Sequence, residues 1–115
     1  MYKVNGTTIT LTRGDTLLLL VKILRDGDEY TPVTGDSVRF ALKSGLNSTK
    51  TGMKDPDPLI LKPIPIDTMI LRLDPEDTKP LKFGKYVYDI EITFANGIVD
   101  TFIAEATFNL TAEVH

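Results

Sequence analysis

The chain has 115 residues, 42% of them hydrophobic and 25% charged, with a formal net charge of -3, no cysteine, no tryptophan and one histidine. That length fits a single domain over residues 1–115 whose core needs no covalent staple, and the cysteine count removes disulfides, thiolate metal sites and a thiol nucleophile. The mild acidity argues against nucleic acid, whose phosphates call for a basic face, and no apolar run approaches the ~20 residues of a membrane helix, so no membrane insertion is expected.

The opening Met1-Tyr2-Lys3-Val4-Asn5-Gly6 lacks the basic-then-apolar order of a secretory signal, and synthesis in the cytoplasm is expected. Thr7 to Thr12 alternates and is rich in β-branched residues, which predicts the first strand. Arg13-Gly14-Asp15 reads as a turn, although the tripeptide is also an integrin-binding motif. Thr16 to Leu24 is apolar on both faces, the pattern of a central or partly covered strand. Asp26-Gly27 predicts a hairpin turn, and Tyr30 to Val33 an edge segment, because Pro32 cannot donate to a ladder.

Ser37 to Lys43 is a strong strand with Val38, Phe40 and Leu42 inward and Ser37, Arg39, Ala41 and Lys43 outward. Ser44 to Pro58 is polar and broken by Gly45, Gly52 and Pro56. A loop that long in a small domain is a site for partner contact or for disorder. Leu59 to Lys62 forms a short strand ended by Pro63 and Pro65, and Thr68 to Leu73 another, with Met69, Leu71 and Leu73 inward. Asp74 as N-cap, Pro75 at the first helical position and Glu76 and Asp77 at the positive dipole end predict one helical turn near 75–78.

Gly84 to Phe94 carries the clearest alternation. Tyr86, Tyr88, Ile90, Ile92 and Phe94 share one face, and Lys85, Val87, Asp89, Glu91 and Thr93 the other. Ala95-Asn96-Gly97 makes a tight hairpin, Ile98 to Ile103 pairs back, and a last strand runs from Ala104 to Ala112, with a bulge where the alternation slips at Ala104-Glu105. The sum is an all-β, immunoglobulin-like antiparallel β-sandwich of about 7–9 strands. Tyr86, Tyr88, Ile90, Phe40, Leu19 and Phe108 are the expected core, with Tyr86 placed like the tyrosine of a tyrosine corner.

The chain offers little to chemistry. The single imidazole, His115, is the last residue, too frayed a position for a triad. Neither a nucleophile elbow nor a phosphate-binding loop occurs. Carboxylates gather at Asp26, Asp28 and Glu29, at Asp55 and Asp57, and at Asp74, Glu76 and Asp77, but turns and caps explain each and none has calcium-loop spacing. Tyr2 and Tyr30 are the candidates for stacking on a sugar, and Asn5-Gly6-Thr7, Asn47-Ser48-Thr49 and Asn109-Leu110-Thr111 have the glycosylation pattern by coincidence. The expectation is therefore no catalytic residue, no cofactor and no metal, with binding residues unassigned.

Four segments in order carry a resemblance: Ile9 to Thr16, Val38 to Lys43, Asp57 to Lys62, and Leu73 to Leu81 followed by Gly84 to Ile90. Together they resemble small immunoglobulin-like proteins of phages and prophages of Gram-positive bacteria, and are similar to the N-terminal region of a phage baseplate upper protein. The resemblance implies a non-catalytic structural module of a virion, tail or baseplate. It would be made in the bacterial cytoplasm and incorporated in the particle, with other phage structural proteins or copies of itself as partners. Against the baseplate protein it ends near residue 115, so no fibre-like continuation is expected. Two rivals stand beside it: a carbohydrate-binding module for cell-surface glycan, and a bacterial protein that merely shares the fold.

Overall fold

The computed structural model describes residues 2–25, 27–44 and 59–112. In chain order the strands are β1 (Tyr2–Asn5), β2 (Thr8–Thr12), β3 (Leu17–Leu20), β4 (Ile23–Arg25), β5 (Asp28–Tyr30), β6 (Ser37–Lys43), β7 (Ile60–Ile64), β8 (Ile70–Leu73), β9 (Gly84–Thr93) and β10 (Val99–Thr111), with the helical turn α1 (Pro75–Thr78) before β9. The fold is all-β. Six strands form one sheet in the order β1-β2-β10-β9-β6-β7; β3 and β8 form a second, and β4 and β5 a separate hairpin.

The alternation of β6 and β9 sets the core. Val38, Phe40 and Leu42 stand opposite Ile92, Ile90 and Tyr88, and all six are buried. β10 adds Ala106 and Phe108, β2 adds Ile9 and Leu11, and the second sheet adds Leu17, Leu71 and Leu73 to the same cluster. At its centre Phe40 meets Tyr88 at 5.4 Å and Phe108 at 6.3 Å between ring centroids, and Tyr88 meets Phe108 edge-on at 6.4 Å. Each large apolar side chain buried this way contributes about 1.5–3 kcal/mol. Of the expected core residues, Phe40, Tyr88, Ile90 and Phe108 are buried, while Leu19 and Tyr86 are half-buried and packed against the cluster.

Several expectations need correction. β1 precedes the strand taken as first; Gly6, at φ 62°, makes the turn that folds it back on β2. Thr16 to Leu24 is two strands, β3 and β4, and among the described residues β3 pairs with β8 alone, so it is an edge and not a central strand. Ile98 to Ala112 is essentially one long strand, because bulges at Phe102 and at Ala104-Glu105 let it stay on β9. Glu105 takes φ 50° within the second bulge, the one anticipated from the slipped alternation. The sheet is also not wholly antiparallel, since β10 runs parallel to β2. Finally, β7 continues through Pro63, which stands opposite Arg39 on the outermost strand, where a missing N–H costs least.

The helical turn forms where the capping signals placed it. Asp77 accepts a hydrogen bond from the Asp74 N–H at 2.8 Å, and Thr78, wholly buried, accepts one from the Gly14 N–H at 3.2 Å. The turn before β9 is thereby tied to the turn between β2 and β3.

Candidate interaction surface

The residues singled out for chemistry are mostly engaged in holding turns. In Arg13-Gly14-Asp15, the Arg13 N–H donates to Thr111 O at 3.0 Å and the Asp15 N–H to Thr12 O at 3.0 Å. The Arg13 guanidinium donates to Leu81 O at 3.3 Å and lies 4.3 Å from the centre of the Phe83 ring, a cation–π contact. With its arginine held against its own chain, the tripeptide is a structural turn.

Asp74 and Asp77 serve α1. Asp74 also accepts from Arg72 Nε at 2.7 Å; that bond, on an exposed pair, holds the carboxyl below its usual range and raises the guanidinium. Asp28 and Glu29 lie exposed on β5. No group of three or more histidine, cysteine, aspartate or glutamate side chains that could hold a metal occurs among the described residues. Asp26, Asp55, Asp57, Asn47 and His115 lie outside the described residues, as does the loop of Ser44 to Pro58 except for Ser44 itself.

Asp36 is a buried carboxylate that the composition did not single out. Its Oδ2 accepts from the Tyr30 hydroxyl at 2.5 Å and the Val33 N–H at 3.0 Å, and its Oδ1 from the Ala95 N–H at 3.0 Å. The cleft beside it, about 270 Å³, is open and is lined by Tyr30, Asp36, Phe94 and Asn96 among others. The Tyr30 hydroxyl is bonded to Asp36 and its ring is perpendicular to that of Phe94, at 5.5 Å between centroids. Tyr2 is on the outermost strand β1, far along the sheet order from this cleft. The two tyrosines are not brought together.

The outer face of the large sheet is a lattice of charge. Arg39 lies between Asp89 at 3.5 Å and Glu91 at 2.9 Å, and Lys43 reaches Asp89 at 3.4 Å. Beneath these chains Ala41 and Val87 are buried on a face that alternation marks as outward. Aliphatic stems of long charged residues cover apolar surface in this way. The lattice pairs its own charges and leaves little for a ligand.

The surface that is not self-satisfied is apolar. Opposite Leu19 and Val21, the outward positions of β3 are Leu18 and Leu20, 48% and 59% exposed, and the facing strand adds exposed Ile70. Leu24 on β4 is exposed as well. Leu59 and Leu61 stand exposed beside and on β7. A sequence signal for the first patch existed: Leu17-Leu18-Leu19-Leu20 puts leucine on both faces, and only one face can be core.

Tyr86 and Tyr88 hold the start of β9. The Tyr86 hydroxyl donates to Lys82 O at 2.5 Å, four residues upstream, and the Tyr88 hydroxyl donates to Thr7 O across the sheet. Burial raises the Tyr88 phenol above its ordinary value. Among the described residues no helix is long and apolar enough to cross a membrane. No protein-family description, curated protein or solved structure matches the sequence.

Proposed function

We propose that this chain is a non-catalytic interaction module of a phage or prophage particle, associated with its tail or baseplate and built as an immunoglobulin-like sandwich. The observation that carries the interaction reading is the row of exposed Leu18, Leu20 and Ile70 on the outer face of the two-stranded sheet. Leu18 and Leu20 are neighbours on that face, with Ile70 opposite Leu20 and Arg72 opposite Leu18, and an exposed apolar cluster of this kind supports a contact with another protein. The immunoglobulin-like reading is supported by the bond from Tyr86 back to Lys82, the geometry of a tyrosine corner. The phage context rests on the resemblance of the four ordered segments.

Catalysis has no candidate constellation among the described residues, and Tyr2 and Tyr30, the candidates for stacking on a sugar, lie on separate elements, β1 and β5. The test is co-purification. Particles are banded on a density gradient from a host producing the phage, and the chain is quantified by mass spectrometry. Enrichment in step with the tail proteins is the expected result. A chain absent from particles and from their assembly intermediates, together with saturable glycan binding, would reverse the ranking.

A further inference from the structure

The large sheet ends in the edges β1 and β7, and in the two-stranded sheet both β3 and β8 have one side unpaired among the described residues. β7 is protected by Pro63 and by Lys62, which stands opposite the buried Phe40 and is tied to Asp77 at 3.0 Å. Proline and charge on an edge are what keep strands from pairing with strangers. β3 has neither: it is four leucines, paired with β8 on one side only among the described residues. Val21 donates its N–H to Met69 O at 2.8 Å. In an antiparallel ladder, hydrogen-bonded positions alternate with positions whose backbone groups face away. Leu18 and Leu20 therefore aim their N–H and C=O away from β8, toward the open side.

Beside that open edge lies a groove of about 170 Å³. Leu19 and Val21 form one wall, Val4 and Thr7 of the β1–β2 hairpin the other, and Ile90 and Ile103 are among the floor residues. That is close to an apolar cavity of about 150 Å³ known to take a benzene-sized group, so one leucine or phenylalanine side chain fits. Lys22, exposed two residues past the end of β3, is the one charged residue among the described residues that line the groove, in a chain of net charge -3.

We infer that the open edge of β3 is a strand-addition site. It takes a single extended segment of a partner protein, with an apolar anchor in this groove and a neighbouring carboxylate on Lys22. A second copy of the chain, pairing β3 with β3, is the alternative occupant that the test separates. One strand added from outside would pair with Leu18 and Leu20 and roof the groove, giving affinity through the backbone and specificity through the anchor. This deepens the interaction reading above and rests on it.

The probe is a displayed library of random linear dodecapeptides selected on the full chain. Enriched peptides are expected to share one leucine, isoleucine or phenylalanine next to an aspartate or glutamate. Their binding should fall about tenfold or more in Val4→Trp, which fills the groove from an exposed position, and several-fold in Lys22→Glu. It should not change in Leu61→Glu, on β7. Amide exchange at Leu18 and Leu20 should slow on peptide binding. No enrichment, equal binding to Val4→Trp, or slowing at β7 instead would overturn the proposal, as would a wild-type dimer in sedimentation that Val4→Trp dissolves. A tail protein bound equally by wild type and Val4→Trp would leave the interaction reading standing and remove this one alone.

Discussion

Tyr88 couples the core to the β1–β2 hairpin, and two substitutions separate its contributions. Tyr88→Ala removes a buried ring that touches both Phe40 and Phe108. Truncating a fully buried aromatic costs about 3–5 kcal/mol, a large share of the 5–15 kcal/mol typical of a domain. Tyr88→Phe keeps the ring and deletes only the hydroxyl that donates to Thr7 O. Because Thr7 is exposed, water can replace that donor, and the loss is about 1 kcal/mol. With a urea slope of about 2 kcal/mol per M for a chain of this size, the midpoints should fall by about 2 M and about 0.5 M respectively.

Burial raises the Tyr88 phenol above 10.0, so the folded state keeps a proton that the unfolded chain releases first. The associated stability is complete below the unfolded value and is lost as pH rises through the folded one. Tyr88→Phe should therefore lose less stability than wild type above pH about 10. Equilibrium urea unfolding at neutral and alkaline pH measures both effects. Unchanged midpoints for both variants would show that the inward face of β9 had been assigned backwards.

Other substitutions test the supporting structure. Asp36→Ala leaves the Val33 and Ala95 amides and the Tyr30 hydroxyl without their shared acceptor, and should cost about 2–4 kcal/mol by denaturant titration. Gly35→Ala puts a side chain at φ 101° with its Cβ 2.8 Å from that of Ala95, and should destabilise by about 1–3 kcal/mol or more, read as a fall in Tm. Thr78→Val leaves the Gly14 N–H without its acceptor and should cost about 1–3 kcal/mol, loosening the turns on both sides. Arg39→Met removes the cation between Asp89 and Glu91; the loss should be about 1 kcal/mol or less at low salt and smaller at high salt, since these side chains are partly exposed.

What the sequence made legible was local. The inward rows of β6 and β9 follow from strict alternation, α1 from Asp74-Pro75, the β9–β10 hairpin from Asn96-Gly97, and the bulge at Glu105 from a slipped period. What stayed hidden depends on neighbours far along the chain. Nothing in β2 or β10 announces that they run parallel, since side-chain period is the same either way. Ala41 and Val87 lie on a face that alternation calls solvent and are buried because charged neighbours cover them. β1 is short and wholly exposed, so it carries no burial pattern to read. The leucine run of β3 was visible as two-faced, but whether another strand or water met its second face could only come from the sheet order. Asp36 as a three-donor acceptor was invisible because Ala95 is 59 residues away.

Affinity capture followed by mass spectrometry tests the central claim most directly, using the full chain and its Leu18→Thr/Leu20→Thr variant as baits in lysate from a phage-producing host. Wild type should recover an identified tail or baseplate protein, and the variant, folded by circular dichroism, should recover it at about a tenth of the yield or less. Recovery of that protein undiminished by the variant would contradict the assignment of the contact to this face. Recovery of no virion protein by either bait would contradict the interaction reading itself.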